Sequence, residues 1–181
     1  MKMPATSFSH KIICFAILAL FLPCCAHDPV KEDLVVYMND DILRIADLET
    51  ASLARYKAVT GKNFKDDQTL INALNDYIIP QYKRFLQNLR KIRPVTPETR
   101  ALHQVYLQGT EELYAGVRML RTALEKQDPG LFRLANAKIT KGSLTIERFT
   151  VGLDVACEAH GVGLGRKSDP EQSLWRRLGF F

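Results

Sequence analysis

The sequence predicts an all-α fold, an antiparallel up-down-up-down four-helix bundle. Three observations predict it. Apolar residues recur every third or fourth position through four long stretches, the spacing of a helix with one buried face. Two helix-start signals, Thr96-Pro97-Glu98 and Asp128-Pro129, punctuate the second half of the chain. No run of period-two alternation supports a strand. The length of 181 residues suits one domain with a tail. A composition of 46% hydrophobic and 25% charged residues is ordinary for a globular protein and excludes a wholly disordered chain. Four Cys in a chain this long exclude a disulfide-dense mini-scaffold.

The first stripe runs Leu34, Met38, Ile42, Ile45, Leu48, Leu53 and Tyr56 within 30–59, and Thr60-Gly61-Lys62-Asn63 stops it, with Gly61 suited to a left-handed cap. The second runs Ile71, Leu74, Ile78, Tyr82, Phe85, Leu89 and Ile92. Pro80 lies inside it and removes a backbone donor, but the stripe keeps its phase, which predicts one kinked helix. The third, opened by the Thr96 hydroxyl cap, runs Leu102, Tyr106, Gly109, Leu113, Val117, Leu120 and Leu124. The fourth follows Asp128-Pro129 through Ala135, Ile139, Gly142, Ile146, Phe149, Leu153, Ala156 and His160, and Gly161 closes it. Gly109 and Gly142 fall on the stripes of adjacent helices, where close helix approach is expected. Four helices near 30 residues long, joined by short connections, bury their faces most economically in a bundle.

The first 25 residues read as an address. Lys2 and Lys11 flank a polar stretch, and the 11 residues from Ile12 to Leu22 are apolar. A basic region followed by a short apolar core is the layout of a secretory signal peptide. No apolar run approaches the ~20 residues of a permanent membrane span. The segment ends in Leu22-Pro23-Cys24-Cys25-Ala26. This resembles the lipobox of bacterial lipoproteins, with Leu22 three residues before Cys25. The resemblance implies cleavage before Cys25, lipidation of its sulfur and a membrane-anchored protein facing the periplasm or cell surface. Ala26 after the lipidated residue would point to the outer membrane in a Gram-negative cell. Cleavage after Ala26, releasing a soluble secreted or periplasmic protein, stays open as the alternative. The expected division is therefore a signal peptide over 1–25, a four-helix bundle over 26–161 and an aromatic, basic tail over 162–181.

Removal of Lys2 and Lys11 lowers the net charge from +5 to +3. No basic stretch is interleaved with stacking aromatics, so nucleic acid is not an expected partner. In the bundle topology Lys31, Arg90, Lys91, Arg93, Arg100, Arg166 and Lys167 gather at the end that carries the lipidated terminus, among diluting acids, and would face anionic headgroups. Trp175, Phe180 and Phe181 in the tail are candidates for docking an envelope protein.

The candidate ligand groups lie at the same end. Met38 and His160 sit on the stripes of the first and fourth helices, and thioether with imidazole suits haem iron. The pair resembles the axial ligands of b-type four-helix-bundle cytochromes. His103, Cys157 and His160 are an alternative set for a transition metal, Cys157 and His160 being three residues apart on one helical face. Core packing explains Met and Cys equally well, so no cofactor is expected, and a haem or metal bundle is the alternative reading. No Gly-x-Ser-x-Gly, phosphate-binding glycine loop or His-Glu-x-x-His is present, and the acidic pairs Asp40-Asp41, Asp66-Asp67 and Glu111-Glu112 splay around their helices. The expected role is a non-catalytic binding or structural module of the cell envelope.

Overall fold

The computed structural model describes residues 27–163. The segment expected to be a signal peptide, with Cys25, and the tail with Arg166, Lys167, Trp175, Phe180 and Phe181, lie outside the described residues. The described residues are helical, with no strands among them. Helix α1 occupies 29–57, α2 occupies 67–89, α3 is Pro97–Lys126 and α4 is Pro129–Ala159. Among the described residues no helix is long and apolar enough to cross a membrane.

Each helix start is capped by the residue the sequence offers. Asp28 Oδ1 accepts from the amides of Val30 and Lys31 at 3.0 and 3.1 Å. Asp66, Thr96 and Asp128 accept from Thr69, Thr99 and Leu131 in the same way. The α3–α4 connection is very short. Gln127 turns left-handed at φ 51°, its amide bonds the Leu124 carbonyl, and the Asp128 amide bonds that of Ala123. Asp128 thus completes a Schellman closure of α3 and caps α4 at once. Gly161, at φ 59°, closes α4 similarly, with Val162 bonded to the Cys157 carbonyl. Gly61, at φ 56°, opens a short 3₁₀ turn, Gly61–Asn63, beyond the end of α1 rather than capping the helix itself.

Two helices contain a wide turn. In α1 the segment Tyr37–Ile42 is π-helical between Pro29–Val36 and Leu43–Lys57. In α2 the π-helical segment Leu74–Ile78 lies directly before Pro80. Proline lacks an amide hydrogen and crowds the carbonyl four residues back. The wider turn accommodates it and keeps 67–89 one continuous helix. Ser52 of α1 donates its hydroxyl to the Ile78 carbonyl at 3.1 Å. Along α1 the buried face departs from the expected stripe. Met38, Ile42, Leu48 and Tyr56 are only half-buried, while Tyr37, Glu49 and Ser52 point fully inward.

Contacts fix the helix directions. Across α3 and α4 they run in reverse order. A Cβ on Gly109 would meet Ile146 at 2.8 Å, one on Gly142 the Leu113 amide at 2.5 Å, and one on Gly116 Ile139 at 2.8 Å. Between α2 and α3, Asn75 reaches Arg121, and the Tyr82 ring stacks on Tyr114. Between α1 and α3 the order is parallel, Asp33 to Thr96 and then Tyr37 to His103. The shared interior holds Leu34, Leu74, Phe85, Leu89, Leu113 and Ala135 with little or no exposure. Burial of each large apolar side chain contributes about 1.5–3 kcal/mol.

Candidate functional site

The interior carries a row of polar side chains along the α1–α3 seam. At its first level Asp33 faces the start of α3. Its Oδ2 accepts from the Thr96 amide and hydroxyl, both at 2.7 Å, and the Val95 amide reaches both carboxylate oxygens at 3.0 and 3.1 Å. Burial pushes the Asp33 carboxyl up, but these donors outweigh it and hold the group below its ordinary value. The carboxylate also meets the positive end of the α3 dipole.

At the second level the Tyr37 hydroxyl and His103 Nδ1 are 3.2 Å apart, and the rings meet edge to face. Burial lowers the His103 pKa, and Arg93 adds to the effect against Asp41. The imidazole is therefore neutral at pH 7, and one partner donates to the other. At the third level Tyr106 donates its hydroxyl to Glu49 Oε2 at 2.7 Å. The Tyr106 ring stacks on Phe149 of α4 at 4.4 Å. Glu49 is 2% exposed, and its Oε1 and the nearby buried Tyr82 hydroxyl make no hydrogen bond. Burial raises the Glu49 carboxyl to about 8, against the opposing influence of the Tyr106 bond and, behind it, of the Tyr82 hydroxyl.

The structure gives each candidate ligand a separate neighbour. Met38 Sδ lies 3.6 Å from Cys157 Sγ, and Cys157 is 1% exposed. His160 Nδ1 is 2.8 Å from Asp28 Oδ2, joining the end of α4 to the start of α1. This pairing is the foremost cause of the lowered Asp28 pKa. Met38 is thus directed at Cys157, His160 at Asp28 and His103 at Tyr37. No three His, Cys, Asp or Glu side chains form a metal-holding group among the described residues. Of the basic residues, Lys31 and Lys91 are exposed, and Arg90 pairs with Glu111 at 2.8 Å. Arg93 and Arg100 donate to carbonyls of the 90–95 connection.

At the opposite end of the helices lies a half-open groove of about 440 Å³. Tyr56, Phe64, Leu70, Leu120, Leu124 and Phe132 supply its apolar wall. Phe64 and Phe132 remain 48% and 40% exposed.

Asp33, Tyr37 and Glu49 were not singled out by the sequence pattern, and Tyr82 was read from it only as a core residue of the second stripe. Acids on a long amphipathic helix read as solvent-facing, yet Tyr37 follows buried Leu34 by three residues and Glu49 lies four from buried Ile45 and Leu53, so both share the buried face. Against protein-family models, curated proteins and solved structures, the chain finds no match.

Proposed function

We propose that this is an exported protein, tethered to the bacterial envelope by lipid on Cys25, whose helices form an antiparallel up-down-up-down four-helix bundle. It serves as a non-catalytic binding or structural module. The alternating contact directions of α1 to α4 support the bundle. One observation carries the functional reading. The core side chains with chemical potential, His103, Cys157 and Glu49, are sealed, whereas an open groove with a largely apolar wall lies at the other end of the described helices. Apolar, concave surfaces suit binding. The groove lies at the end of α1 remote from Asp28, so a tether before Asp28 leaves it facing away from the membrane. Lys31 and Lys91 lie at the tether end, where anionic headgroups would meet them.

The test is expression of the full chain in a Gram-negative host fed a clickable fatty acid. Label on the wild type and none on Cys25→Ser is the expected result. An unlabelled protein released into the periplasm would show cleavage after Ala26 and remove the anchor. An absorption spectrum and metal analysis of residues 26–181 after haem supplementation bear on the module itself. A Soret band lost in His160→Ala would replace the reading with a haem bundle.

A further inference from the structure

We infer that Glu49 is a proton-binding site in the core, and that loss of its proton parts α1 from α2 and α3 as the surrounding medium turns alkaline. The carboxyl has almost no exposure, one hydrogen bond, and one oxygen without a partner. Every titratable group that influences it is a neutral phenol. Tyr82 faces it from α2 and Tyr106 from α3, with Tyr37 of α1 beyond Tyr106. From α4 the neighbour is the Phe149 ring on Tyr106. No Lys, Arg or His is paired with the carboxyl among the described residues.

An ionised carboxylate in such a place lacks both water and a cation, and the cost of that exceeds what the Tyr106 bond and the nearby Tyr82 hydroxyl return. A neutral acid avoids the cost. It also carries an O–H donor, and the unpartnered Tyr82 oxygen beside it is an acceptor. Water favours the ionised form, and separating α1 from Tyr82 and Tyr106 admits it, so the opened core gives up the proton more readily than the closed one and ionisation favours opening. Ser52 lies one turn further along α1 and holds the Ile78 carbonyl beside the wide turn of α2. The charge state at 49 and the α1–α2 seam are thus coupled through adjacent turns of one helix. The proton site stands on the core alone, while control of it by the external medium rests on the proposed export.

The experiment uses the purified chain, as isolated from the producing cell, between pH 5 and pH 9.5. Infrared spectroscopy with labelled glutamate should show a protonated carboxyl at pH 6.5, titrating near 8 and absent in Glu49→Gln. Amide exchange over 45–53, corrected for intrinsic rates, should report an opening constant that rises about tenfold per pH unit up to that midpoint and then levels. In Glu49→Gln it should stay flat. A carboxyl already ionised at pH 6.5, or the same pH dependence in both proteins, would overturn the proposal. If Glu49→Gln fails to fold, Tyr106→Phe supplies the second test. Losing the phenol bond must move the infrared midpoint upward, and an unchanged or lower midpoint overturns the assignment. A failure of the export reading would leave all these outcomes untouched.

Discussion

Removing the Asp33 carboxylate would strand three donors at once, the amides of Val95 and Thr96 and the Thr96 hydroxyl. Asp33→Ala should cost about 3 kcal/mol in urea unfolding at pH 7, because bonds to a charged acceptor are among the stronger ones. The pH sign follows from the lowered pKa. The stabilisation is complete above the ordinary value of 3.8 and disappears as pH falls through the lower folded value. Acid titration of Asp33→Ala should therefore lack the wild type's steepest loss. Gln127 works in the other direction. Its left-handed backbone is strained for a residue with a Cβ, and Gln127→Gly should raise stability by about 1 kcal/mol. A lower midpoint in that variant would show that the glutamine side chain outweighs the backbone term. Thr96 and Asp128 were legible as caps because hydroxyl or carboxylate before proline is a local signal. Asp33 was not, because its partners lie more than sixty residues away.

At the scale of elements, the α3–α4 pair is held at backbone distance by Gly109, Gly116 and Gly142. A Cβ on Gly142 would stand 2.5 Å from the Leu113 amide and 2.8 Å from the Gly109 carbonyl, neither of which can rotate away. Gly142→Ala should lower stability by about 3 kcal/mol, read as a reduced thermal midpoint, the usual range for overpacking. Gly109 and Gly142 on adjacent stripes were readable in the sequence, as were the four helices and the continuity of α2 through Pro80, whereas Gly116 was not. The wide turns were not. A turn with one extra residue leaves the three-or-four spacing of apolar side chains intact, and spacing alone does not say which neighbour of each is deepest. Leu48 and Tyr56 accordingly read as core, while Glu49 and Ser52 occupy it. The sulfur and imidazole candidates lie beside the first half of α1, yet their orientation depends on side-chain partners such as Asp28 and Tyr37 that spacing does not encode.

For the whole molecule, Asp33 and Glu49 bracket the pH range of stability. Asp33 contributes only above the acid range. Glu49, whose folded value of about 8 exceeds its ordinary 4.5, favours folding fully below 4.5 and loses that advantage as pH rises to about 8. Because the lowered His103 pKa acts in the opposite direction below 6.5, the clean readout is the unfolding free energy of the wild type minus that of Glu49→Gln, which should fall by up to roughly 1.4 kcal/mol per pH unit between about 4.5 and 8. A difference that stays constant across that range would contradict the neutral state of Glu49. The tight link at Gln127 and Asp128 also carries a temporal consequence. Helices α3 and α4 meet across a connection that costs little loop entropy, whereas α1 must find His103 and Cys157 over separations of 66 and 119 residues. The two C-terminal helices should form the folding nucleus, with amides near Gly109 and Gly142 protected first in pulse-labelling, and α1 should dock last. The helix nearest the N-terminus, made first by the ribosome, would then be the one whose assembly waits for the end of the chain.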